Sequence, residues 1–144
     1  MMWRTMLLCT VSALIFCSFS AAADTTICPT TVDVKQQLAS SVDGWTPTLD
    51  DSPHRLSGIT FYDGPPQEKA SLVYDNIKKT APKEIATWQF GADGKRPTWI
   101  VCSYSGTAVQ LAKSLPSKTS TCQITDNRTQ QLSGQPLIES VSCK

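Results

Sequence analysis

Apolar and polar residues alternate in short runs separated by turn-forming clusters, and this pattern predicts strands. Ile27 to Leu38 alternates loosely, with Val32 and Val34 on one side and Asp33 and Lys35 on the other. Asp43-Gly44 breaks the run, and Trp45-Thr46-Pro47 opens a polar loop holding Asp50, Asp51, Pro53 and His54. Leu56 to Tyr62 is the next strand, ended by Asp63-Gly64-Pro65-Pro66, where two prolines remove two ladder donors. Residues 67–80 read as extended, with one helical turn that Pro66 and Glu68 suit at its start. Ile85 to Phe90 and Thr98 to Tyr104 alternate around Gly91-Ala92-Asp93-Gly94 and are expected to pair as a hairpin. Further strands follow over Thr107–Leu115, Thr119–Thr125 and Leu137–Cys143, with Asp126-Asn127-Arg128 and Ser133-Gly134 read as a loop. The fold class expected is mainly β: an antiparallel, sandwich- or barrel-like domain with at most one or two short helical turns.

The first 23 residues break this pattern. Arg4 precedes an apolar run from Met6 to Cys17, and Ala21-Ala22-Ala23 supplies a small-residue cleavage site. The run is shorter than the ~20 residues of a spanning helix. Residues 1–23 are therefore expected to be a cleaved secretory signal, leaving residues 24–144 as a single periplasmic or secreted domain without a membrane anchor. Leu8 and Phe16 stand before Cys9 and Cys17, where a lipidation site needs a small residue.

Charge removes some function classes. The 144 residues carry 13 Lys+Arg and 12 Asp+Glu, and loss of Arg4 with the signal leaves a net charge of 0. Such a chain has no basic stripe for nucleic acid. A partner must be recognised through local patches.

Cys28, Cys102, Cys122 and Cys143 remain after cleavage and predict two disulfides in an oxidising compartment. Of three connectivities, Cys102–Cys122 with Cys28–Cys143 is the one expected, clipping a hairpin and tying the ends of the domain together. No C-x-x-C occurs, and His54 is the sole histidine, so neither a zinc site nor a dithiol redox centre is expected.

Catalytic patterns are equally sparse. Tyr104-Ser105-Gly106 lacks the preceding glycine of a nucleophile elbow, and one imidazole leaves little for a triad. Asp50-Asp51 offers paired carboxylates but reads as a solvated turn. No phosphate-cradling loop or other cofactor motif occurs. Trp88 and Trp99, on opposed arms of the expected hairpin, read as packing, while Trp45 stands open between core and a binding platform. Asn127-Arg128-Thr129 is a sequon in what reads as a polar loop. Partner contact is expected from the turns carrying Tyr104 with Ser105, from Tyr62, and from the Lys95-Arg96 pair.

The stretch Thr60-Phe-Tyr-Asp-Gly-Pro-Pro-Gln-Glu-Lys-Ala-Ser-Leu72, with Trp99-Ile-Val-Cys-Ser-Tyr104 and Val141-Ser-Cys143, resembles a family of small exported Gram-negative bacterial proteins. Some proteins of this kind are encoded beside type VI secretion effectors, where periplasmic immunity proteins block toxins that attack the cell wall. The resemblance implies a non-catalytic inhibitor or immunity protein whose partner is a cell-wall-active enzyme or another envelope protein. An envelope structural or accessory role is the alternative. In size, export and disulfides the chain is also similar to periplasmic lysozyme inhibitors, without their Ser-Gly-rich inhibitory loop.

Overall fold

The computed structural model describes residues 27–49, 52–91 and 95–144. The expected signal, residues 1–23, lies outside the described residues, as do Asp50 and Asp51. Nine strands are described: β1 (Thr31–Val32), β2 (His54–Asp63), β3 (Ser71–Leu72), β4 (Asn76–Thr80), β5 (Lys83–Gln89), β6 (Thr98–Tyr104), β7 (Gln110–Ser114), β8 (Thr121–Leu132) and β9 (Gln135–Cys143). One 3-10 turn, Pro66–Glu68, follows the β2 turn, where proline's fixed φ suits a helical start. The antiparallel β class expected from alternation is the one found.

The strands form two antiparallel sheets. One has the order β1-β2-β6-β7, with β3 paired to the far end of β2, and the other is β4-β5-β8-β9. Alternation explains how they meet. Along β6, Ile100, Cys102 and Tyr104 fall on one face and join Phe61 of β2 in the core. Ala86 and Trp88 of β5 and Cys122 and Ile124 of β8 enter the same core from the second sheet. Phe61 is fully buried at the join, its ring centroid 5.0 Å from Trp88 and 5.4 Å from Phe90. Tilted aromatic contacts of this kind add to simple area burial.

The expected hairpin between Ile85–Phe90 and Thr98–Tyr104 does not exist. β5 pairs with β4 and β8, whereas β6 pairs with β2 and β7, so the intervening chain passes from one sheet to the other. Trp88 is core; Trp99, half-buried opposite Tyr62, belongs to the other sheet. The same crossing corrects the disulfides. Cys102 and Cys122 sit in different sheets, and the bonds are Cys28–Cys102 and Cys122–Cys143. Cys122 faces Cys143 directly across the β8–β9 ladder.

Nor is Asp126–Arg128 a loop. β8 continues to Leu132, with irregular pairing to β9 between Thr125 and Gln131. Asn127 is buried there, and its Oδ1 accepts from the Thr129 amide at 3.0 Å, the Thr129 hydroxyl at 2.8 Å and the Gln130 amide at 3.2 Å. Its Nδ2 donates to Glu139 at 2.9 Å. These bonds replace ladder partners that the irregularity removes. The turn at Ser133-Gly134 closes the β8–β9 hairpin as expected.

Candidate partner-binding site

The N-terminal segment is fastened to the first sheet at several points. Cys28 is bonded to Cys102 of β6, the Leu56 amide donates to the Thr30 carbonyl at 2.9 Å, and Val32 pairs with His54. The pairing of Val32 with His54 brings the two ends of the intervening chain together, so residues 33–49 project from a fixed base with no strand or helix of their own. Two features shape the segment. The Trp45 amide donates to the Val42 carbonyl at 3.1 Å across Asp43-Gly44, where Gly44 takes φ +78°, and Pro47 follows. Gln36 Nε2 donates to the Gly106 carbonyl at 3.2 Å, tethering the segment to the turn after β6.

The segment holds its large apolar side chains in water. Leu38 is 53% exposed, Val42 52%, Trp45 79% and Leu49 64%. Together with His54, Ser105, Gly106 and Ser133 of the β8–β9 turn they line a groove of about 1110 Å³. Lys35 is the one Lys, Arg, Asp or Glu among the described lining residues. The His54 Nδ1 lies 2.7 Å from the Ser105 carbonyl, which only accepts, so Nδ1 carries the proton; Nε2 is buried without a hydrogen-bond partner among the described residues. Contiguous exposed apolar surface bordered by polar groups is a mark of protein contact.

The residues expected from sequence divide between the two ends of β2, which at about 3.3 Å per residue lie roughly 30 Å apart. Tyr104 and Ser105 are at the groove end; Tyr62, Lys95 and Arg96 are at the other. Tyr104 does not protrude. It is 3% exposed, its hydroxyl donates to the Pro29 carbonyl at 3.1 Å, and burial pushes the phenol pKa up. Alternation turns it inward with Ile100 and Cys102, so it positions the groove rather than lining it. Ser105 does line the groove, half-buried, its amide donating to the Arg55 carbonyl at 2.9 Å.

At the far end Tyr62 is half-buried and Lys95 exposed. Arg96 is engaged within its own chain: it pairs with Glu68, and it reaches the Asp63 carboxylate at 3.5 Å and the Asp63 carbonyl at 3.0 Å. The hydrogen bond and charge of Glu68 hold the guanidinium firmly protonated. This cluster secures a turn.

Strand alternation, which ends at Leu38, marks neither Leu38 nor Val42 and Leu49 beyond it as a contact surface. A signal was present, since residues 38, 42, 45 and 49 recur at intervals of four, three and four, the spacing of one helical face. Gly44 and Pro47 prevent a helix, and the side chains are left gathered on an irregular segment.

Residues 51–144 match the family described as type VI secretion system Tli immunity protein. The chain is also similar to an uncharacterized 16.3 kDa protein of the trpG 5' region of Azospirillum brasilense, 30% identical over 112 residues, covering 74% of each chain. No solved structure matches it.

Proposed function

The chain belongs to the type VI secretion system Tli immunity protein family, and from that premise we propose that it works in the periplasm, without catalysis, as a stoichiometric inhibitor of an effector enzyme that attacks the cell envelope. A cell-wall-active enzyme is the target class to test first, as the sequence resemblance implies. Immunity proteins act on a protein partner, so the reading needs a surface suited to one. Clustering of exposed Leu38, Val42, Trp45 and Leu49 beside the groove is the observation that carries it. Large aromatic anchors at the centre of an interface commonly supply much of its binding energy. Two disulfides suit an oxidising compartment, and the apolar run after Arg4 suits export.

Growth protection tests the proposal. Cells exporting the effector encoded with this chain should stop growing, and coexpression of residues 1–144 should restore growth. A form beginning at Asp24, without the export run, should not protect. Protection by that form would contradict the periplasmic reading, and failure of both forms would contradict immunity to that effector. Purified sacculi identify the target class. An equimolar amount of residues 24–144 should stop the effector from releasing soluble peptidoglycan fragments, whereas sacculi that the effector leaves intact would move its target away from the cell wall.

A further inference from the structure

We infer that residues 33–49 decide which effector this chain recognises, and that the effector meets them with an uncharged, apolar segment. The inference rests on the immunity reading and adds the location and chemistry of recognition.

Three observations converge. First, the family match begins at residue 51 and includes β2 to β9, the core and the β8–β9 disulfide, whereas residues 33–49 precede it. The family model thus does not extend over the apolar segment. Second, the segment is fastened without being packed. Cys28–Cys102, the Val32–His54 pairing and the Gln36 bond to Gly106 fix its base, while Leu38, Val42, Trp45 and Leu49 stay exposed. Ordered segments beyond about 12–15 residues without secondary structure are usually functional. A loop whose base is secured elsewhere is also free to vary without disturbing the core. Third, the groove carries little charge: Lys35 is the one Lys, Arg, Asp or Glu among its described lining residues. A partner presenting a charged patch would lose hydration there and gain few opposite charges in return. An apolar segment would cover Trp45 and its neighbours and displace water from them.

Titration of the effector with residues 24–144 at low and high salt tests this. Affinity should change less than about threefold between 50 and 500 mM sodium chloride, because apolar contacts are not screened. Trp45→Ala should weaken binding at least about 30-fold, as central aromatic anchors do. Replacing residues 33–49 by a Gly-Ser segment of equal length should abolish binding while far-ultraviolet circular dichroism and both disulfides persist. Lys95→Ala, 30 Å away by the length of β2 (about nine residue steps), should change nothing. Undiminished binding by the Gly-Ser variant would overturn the inference, as would a tenfold or greater loss with salt. A dimer of the chain alone that Trp45→Ala dissociates would assign the face to a second copy instead. Loss of effector binding on retention of residues 1–23 would assign it to the chain's own apolar run. Absence of binding by the unaltered chain would remove the immunity reading itself, a different result from binding that ignores the segment.

Discussion

Cys28 is bonded to Cys102 with their Cα atoms 5.9 Å apart, joining the start of the described chain to the middle of β6 across 74 residues of sequence. The second bond, Cys122–Cys143, spans 21 residues within one hairpin. Loop-closure entropy assigns about 4.5 kcal/mol to the longer bridge and about 3.4 to the shorter. A Cys28→Ser/Cys102→Ser variant should therefore lose more stability in urea denaturation than Cys122→Ser/Cys143→Ser. It should also release the base of residues 33–49, raising proteolysis there while the β8–β9 hairpin stays protected.

Phe61 provides a sharper test of the core. It is fully buried between Trp88 and Phe90, where both sheets contribute. Phe61→Ala should cost about 3–5 kcal/mol through lost burial and the cavity left behind. Trp88 fluorescence should shift to the red as water gains access. Trp45→Ala, at an exposed site, should change stability by no more than about 0.5 kcal/mol.

Gly64 is buried beneath the Arg96 side chain and takes φ +91°. Two costs would meet an alanine there, a backbone strain and a clash with Arg96, and they can be separated. The guanidinium is the end of a flexible side chain and can move aside, whereas the φ cannot. Gly64→Ala should cost about 1–2 kcal/mol, and Arg96→Ala, which removes an exposed ion pair, clearly less. Thermal melting of the double variant should show no rescue of Gly64→Ala by Arg96→Ala.

Asp126 lies directly opposite Glu84 on the β5–β8 ladder. Burial, and then the Glu84 charge, hold its carboxyl above the ordinary aspartate range, with Arg128 offsetting part of the effect. A carboxyl raised in this way favours the folded state while protonated. That contribution is present below the unfolded-state pKa and is lost as pH rises through the raised value. Asp126→Asn should consequently stabilise the protein at neutral pH, by about 0.5 kcal/mol on the scale of cross-strand charge pairs, and by nothing near about pH 3. Glu139 titrates in the opposite sense, held low by hydrogen bonds from Lys83 and Asn127. The check is thus the difference between variant and parent melting curves across pH.

Local structure was legible where a single physical rule decides it. Thr98–Tyr104 is a strand with the expected ends because seven residues alternate between two buried environments. The turn at Asp63-Gly64-Pro65-Pro66 follows from its prolines. Pairing was not legible, because alternation says which face a residue takes and nothing about which strand lies beside it. That is how Ile85–Phe90 came to be expected beside Thr98–Tyr104, and Cys102 beside Cys122. Asn127 shows a related blindness: a polar triplet resembles a loop unless its side chain is known to supply the missing ladder bonds. At the site, aromatic turn residues suggested Tyr104, which alternation in fact buries, while Leu38, Val42 and Leu49 were hidden in a segment of turn-forming composition.

Hydrogen–deuterium exchange of residues 24–144, free and bound to the effector, addresses the central claim most directly. The account predicts that protection gained on binding is concentrated in residues 33–49 and the Ser105-Gly106 turn, with none around Tyr62, Lys95 and Arg96. Protection confined to that opposite end of β2, with residues 33–49 exchanging as in the free protein, would contradict it.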